Sequence, residues 1–259
     1  MSISKSVAVR IAPLQYADIP ACAQITSRAF SVDPHTIVKQ LGRKPFDMYD
    51  IAQSDFLNTL YRKNYVYVKA VDPESGEIVG HAGWSFRGLD HELVPWSGPS
   101  DEKPEPEVVK NESHTAAEHT NDETEEGTEE NSSIDRLHAI EDADMLYWIK
   151  DLLPSDMPCM LMQGLIVSPS YQSRGVGSAM LRYGNAMADD LGLAVWVHSS
   201  HQAYEAYKKV GFETVRELDI DLDEYAPRGP REDEEVMGEK GCGKWGRYVI
   251  RYMRRRRLA

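Results

Sequence analysis

The chain has 259 residues, 41% of them hydrophobic, with three cysteines and a formal net charge of −13. That length suits one α/β domain with additions, and the apolar share supports a core, so wholesale disorder is excluded. No run of about 18 apolar residues occurs, which excludes a membrane-spanning helix.

The opening Met1 to Ser6 lacks the apolar stretch of a secretory signal, so a cytoplasmic location is expected, with a nuclear one as the alternative. Cys22, Cys159 and Cys242 are scattered and show no zinc-ligand spacing, so reduced thiols and no metal are expected. The acidity is local. Asp101 to Asp135 holds 13 acidic residues and two lysines, a balance of −11, and the C-terminal stretch from Gly243 carries Lys244, Arg247, Arg251 and Arg254 to Arg257 with no acid. That basic run reads as a solvated terminus that could pair with the acidic segment, and a nucleic-acid role is not expected from it.

In chain order, Val7 to Ala12 alternates and predicts a first strand. Asp18 and Pro20 open a helix over Ala21 to Phe30, and a second helix is expected from Met48 to Lys63. Asn64 to Val71 and Ile78 to Phe86 flank the turn Asp72-Pro73-Glu74-Ser75-Gly76 and predict a hairpin. From Ser97 to Ser133 the composition turns to Pro, Glu, Ser, Thr and Asn. That segment is expected to be a disordered insert within a single domain spanning 1–259. Ile134 to Leu153 resumes helical spacing. Met160 to Val167 predicts a buried strand, Ser178 to Leu191 an amphipathic helix, and Leu193 to Val197 a further strand. Gln202 to Val210 predicts a short helix closed by Gly211, with last strands at Thr214 to Leu222 and Trp245 to Tyr252.

The chemistry concentrates between the strand ending at Val167 and the helix after Gly177. A strand, a glycine loop and a helix start make an anion site, because free helix N-terminal N–H groups point at phosphate oxygens. Arg174 adds positive charge to the loop, and Ser178 offers a hydroxyl. A P-loop would need Gly-Lys-Ser/Thr, whereas Gly177 is followed by Ser178-Ala179. A dinucleotide fingerprint would need glycine at Met180 and an acid near Val195 to Val197, and has neither.

Gln172-x-x-Gly175-x-Gly177 resembles the (Gln/Arg)-x-x-Gly-x-(Gly/Ala) signature of the GCN5-related N-acetyltransferase (GNAT) family. Ala203 to Phe212, with Tyr207 ahead of Gly211-Phe212, resembles the family's second motif, and the match covers roughly Met160 to Phe212. The resemblance implies a mixed, mostly antiparallel sheet of about seven strands flanked by helices, an α/β (α+β) fold. It implies a splayed strand pair holding acetyl-CoA as acyl donor.

It further implies coenzyme contacts from Leu165, Ile166 and Val167, with Leu165 and Val167 using their backbones, and from Gln172, Ser173, Arg174, Gly175, Val176, Gly177 and Ser178. Tyr207 would protonate the leaving thiolate, and the acetyl acceptor would be an amine, expected to be small. The glutamate that many relatives carry early in the strand is missing, since Met160-Leu161-Met162-Gln163 holds no carboxylate. His198, His201 and Glu205 are the nearby candidates for a base. A peptide or histone acetyltransferase, and a non-catalytic coenzyme-binding protein, are the alternative functions.

Overall fold

The computed structural model describes residues 7–104 and 128–257. One seven-stranded sheet organises them: β1 (Arg10–Pro13), β2 (Tyr65–Val71), β3 (Ile78–Arg87), β4 (Cys159–Val167), β5 (Ala194–Ser199), β6 (Glu213–Asp221) and β7 (Arg247–Arg255). The spatial order is β1-β2-β3-β4-β5-β7-β6, and only β4 and β5 run parallel. This is the expected mixed, mostly antiparallel sheet.

Helices cover both faces. On one face lie α1 (Ile19–Phe30) and α3 (Met48–Thr59), packed through Ile19, Ala23 and Phe56. On the other lies α5 (Val176–Asp190), packed through Met180 and Leu181 on Trp84 and Met160. Gly184 sets the depth of α5, because a Cβ there would sit 2.3 Å from the Trp84 ring. The short helix α6 (Tyr204–Lys208) carries Tyr207 into the same core.

Several boundaries differ from the sequence expectation. A helix not foreseen, α2 (Pro34–Gln40), is opened by Asp33, whose carboxylate accepts from Thr36 N–H at 2.9 Å and from the Tyr248 hydroxyl at 3.0 Å. The helix expected to reach Lys63 ends at Thr59. Helix α5 starts at Val176 rather than Ser178, which puts Gly177 inside its first turn. The basic terminus is a strand rather than a solvated tail: Arg251 pairs with Glu217, Arg255 with Asp189 and Arg256 with Glu213.

Residues 105–127 lie outside the described residues, so the centre of the expected insert is not characterised. Its ends are built into the fold. The Asp101 carboxylate accepts from Tyr16 and Ala17 N–H at 2.9 and 2.8 Å, and α4 (Thr128–Tyr147) already begins at Thr128, ahead of the expected Ile134. Loop closure depends only weakly on length. Replacing residues 105–127 alone with a Gly/Ser linker is therefore expected to leave Tm within a few degrees, as read by thermal melts. A large fall in Tm would show that the segment packs on the fold.

Buried His81 gives a second test. It sits on the α1/α3 face with Nε2 2.9 Å from Thr26 Oγ1, and burial pushes its pKa down to about 4. The unfolded chain takes a proton there near pH 6.5, so stability holds above that pH and falls as pH drops towards 4, by about 2 kcal/mol at pH 5. Melts at pH 7 and pH 5 should show a smaller acid loss for His81→Gln than for the wild type. An equal loss would assign the acid sensitivity elsewhere.

Candidate acetyl-CoA and acceptor site

Strands β4 and β5 pair over three residues only, Cys159 with Ala194, Met160 with Val195 and Leu161 with Trp196. Beyond Leu161, β4 stays with β3 while β5 stays with β7. The parting coincides with a β-bulge. Gly83 faces Gly164 and Trp84 faces Met162, leaving Gln163 as the extra residue, its Nε2 donating to Ser85 Oγ at 2.8 Å. A bulge bends its strand and increases local twist, which turns β4 away from β5.

The opened edge of β4 has defined polarity. Ser168 N–H donates to the Val79 carbonyl at 2.9 Å, which fixes the alternation of the β3–β4 ladder. Leu165 and Val167 therefore turn their N–H and C=O groups into the gap. Ile166 turns its own towards His81 on β3, so only its side chain lines the site, and a backbone contact to a ligand from Ile166 is not expected.

The loop after β4 is shaped by two positive φ values, Ser173 at 57° and Gly175 at 88°. Gly175 is the N-cap of α5, whose first internal bond runs from Ala179 N–H to the Gly175 carbonyl at 3.0 Å. Among the described residues, the N–H groups of Val176, Gly177 and Ser178 have no acceptor, the arrangement that attracts an anion. The side chains behave differently from the expectation of direct contact. Gln172 Nε2 donates to the Val167 carbonyl at 3.2 Å, tying the loop to β4. The Arg174 guanidinium lies 4.8 Å from the Tyr171 ring centroid and donates to the Ser170 carbonyl at 3.3 Å. Tyr171 in turn donates to Asp72 at 2.9 Å, so the loop is braced against the β2–β3 turn.

The gap opens into a cavity of about 1000 Å³ lined by residues of α1, α2, α3, α4 and the sheet. Tyr207 lines it and is 3% exposed. Its hydroxyl has no hydrogen-bond partner among the described residues, and burial raises its pKa well above 10. His198 also lines the cavity, on the part of β5 that β4 has left, against the Tyr252 ring at 5.0 Å. Burial pushes it down to about 4, so it is neutral near pH 7. The other two base candidates fall away from the site: His201 Nδ1 accepts from Val249 N–H at 3.4 Å, and Glu205 is solvent-exposed beside Lys208.

Residues 140–214, from the last turns of α4 to the start of β6, match the model of the acetyltransferase (GNAT) domain. That stretch is a GNAT acetyltransferase domain by this match. Solved structures with the same fold include a histone acetyltransferase HPA2 and related acetyltransferase from Corynebacterium glutamicum, at 18% identity and TM-score 0.50, covering 98% of each chain. Arylalkylamine N-acetyltransferase 2 from Aedes aegypti aligns at 12% identity and TM-score 0.52, covering 95% of this chain and 98% of the other. No curated protein matches the sequence.

The bulge at Gln163, the facing glycines Gly83 and Gly164, and the cavity-lining residues of α2, α3 and α4 were not singled out from sequence. Two adjacent glycines facing each other across strands were the available signal. Among the described residues, no group of three or more metal-ligating side chains assembles and no helix is long and apolar enough to cross a membrane. Cys22 and Cys159 are buried and Cys242 is exposed; none lines the cavity.

The loop makes a clean test possible at Gly177. A Cβ there would meet only Val167 Cγ2, at 3.6 Å, and its φ is not positive, so the protein has room for a methyl. Gly177→Ala should hold or raise Tm, as Gly to Ala does in a helix, while acetyl-CoA affinity falls by about tenfold in calorimetry. Unchanged affinity would remove the first turn of α5 from the coenzyme site. Gly175→Ala should lower both, because φ 88° suits only glycine well.

Proposed function

We propose that the protein transfers the acetyl group of acetyl-CoA to a small amine by direct attack. The observation that carries this reading is the bulge-opened edge of β4, where Leu165, left without a strand partner on that side, lines one cavity with Tyr207. The residues suit the coenzyme. An extended pantetheine arm can add to the β4 edge as a strand would, through Leu165 and Val167. The N–H groups of Val176 to Ser178 would meet the pyrophosphate.

The chemistry then divides across the gap. A neutral amine nitrogen attacks the thioester carbonyl carbon, and a C–N bond forms. Negative charge gathers on the carbonyl oxygen, where a backbone N–H of the β4 edge can stabilise it. The C–S bond then breaks and the sulfur leaves with the bonding pair. Tyr207 supplies a proton to that sulfur. Its raised pKa keeps the hydroxyl protonated, and the same desolvation raises the proton affinity of the leaving thiolate. The amine loses its proton on the opposite side, towards His198, which burial keeps neutral near pH 7 and so leaves with a lone pair to accept it as a weak base.

Tyr207→Phe tests the assignment. The hydroxyl has no partner to lose among the described residues, so Tm should be unchanged, and the ring contact to Phe212 at 5.3 Å remains. With acceptor and acetyl-CoA in a thiol-release assay, kcat should fall by about 10²-fold while KM for acetyl-CoA holds. Wild-type turnover in this variant would return Tyr207 to a packing role.

A further inference from the structure

From the β4–β5 gap the cavity extends between α1, α3 and β2, and this arm has an apolar wall. Phe30 ends α1, Phe46 and Met48 lead into α3, and Ile51 lies on it. All four line the cavity, Ile51 is 41% exposed, and none belongs to the packed apolar clusters of the described residues. Apolar side chains that line a cavity without packing into a core are ligand-facing surface.

The inner end is aromatic. Phe56 meets Tyr67 edge-on at 5.4 Å, and Tyr67 is pinned by its hydroxyl to Thr59 Oγ1 at 2.9 Å. The Tyr67 ring lies on Gly83, where a Cβ would come within 2.3 Å of it. The next residue across the sheet in that row is Gly164, where a Cβ would meet only Ile166 Cδ1. The floor is therefore bare backbone from the Tyr67 ring to the β4 bulge, one residue from Leu165. Asp55 also lines the cavity, and its carboxylate has no hydrogen bond or ion pair among the described residues.

We propose that this arm is the acceptor subsite and that it selects a primary amine carried on an apolar body about the size of one ring. The proposal rests on the acetyltransferase reading above. The nitrogen sits over Gly164, facing the thioester, and the apolar body lies against Tyr67, Phe56 and the side chains from Phe30 to Ile51. Asp55 draws the ammonium form from solution before the proton is lost. A polyamine would place further charges, and a peptide its amide groups, against the apolar side chains from Phe30 to Ile51, which cannot hydrogen-bond them.

The test uses the full chain with acetyl-CoA and four acceptors: phenethylamine, hexylamine, spermidine and a lysine-containing peptide. Expected are kcat/KM values for phenethylamine and hexylamine at least tenfold above those for the other two. Tyr67→Ala should raise KM for phenethylamine tenfold or more with acetyl-CoA affinity unchanged. Asp55→Asn, which leaves the fold intact, should lower kcat/KM for phenethylamine severalfold with kcat held. Preference for spermidine or the peptide, or unaltered phenethylamine kinetics in both variants, would overturn the proposal. Acetyl-CoA that binds and is turned over with other amines alone would overturn it while sparing the acetyltransferase reading. Failure to bind acetyl-CoA at all would defeat both.

Discussion

The site depends on one residue too many in β4. An antiparallel ladder runs unbroken along β3, yet Gln163 has no counterpart there, and at that point β4 parts from β5. Had the parallel pairing continued, the N–H and C=O groups of Leu165 and Val167 would be spent on β5. Because it stops at Leu161 and Trp196, those groups, apart from the Val167 carbonyl that accepts from Gln172, are left without a strand partner, and an unsatisfied amide is costly. A ligand that adds an extended chain to this edge repairs that cost, which gives the binding its driving force. The position also follows a general rule of parallel strand pairs, whose ligands lie outside the carboxyl ends.

The two faces of the sheet then take separate tasks. On the α5 face, Gly184 lets the helix settle on Trp84, which fixes where the helix N-terminus lies relative to the end of β4. Tyr207 is packed from that side with Phe212. On the α1/α3 face, Gly83 and Gly164 remove side chains from the cavity floor, and Tyr67 occupies the first of the two spaces. The gap between β4 and β5 joins the faces. A proton can therefore leave the amine on one side and reach the sulfur on the other without a shared donor.

The glycine loop and the helix it opens were legible in sequence because they are contiguous. Val167, the Gln172 to Gly177 loop and the start of α5 follow one another along the chain, and the backbone conformation they need is written in glycine. What the sequence did not reveal is assembled from distant pieces. The β4 bulge depends on how many residues oppose it on β3, which no local pattern around Gln163 records. Gln172 and Arg174 were read as ligand contacts, but their partners, the Val167 carbonyl and the Tyr171 ring, were decided by loop geometry. Helix α2 is only seven residues and is preceded by a polar turn, so its periodicity was too short to register. The arginines at the end of the chain looked like a tail because their partners Asp189, Glu213 and Glu217 lie 34 residues or more away in sequence.

The helix after the acidic segment supplies another part of the wall. Helical spacing was expected from Ile134; α4 begins at Thr128, and its Ile134 and Leu137 pack against Val38, Ile220 and Leu222. One turn further on, Glu141 faces the cavity and binds both His35 and Lys39 of α2. Burial opposes its charge, but the hydrogen bonds and positive charge from His35 and Lys39 hold its carboxyl down at about 2. A charge kept ionised inside a wall against the cost of burial fixes geometry more than it adds stability. Here it fixes α2 to α4, both of which line the cavity. On the proposed acceptor reading, this polar cluster bounds the space in which an amine carried on an apolar body lies against the arm from Phe30 to Ile51.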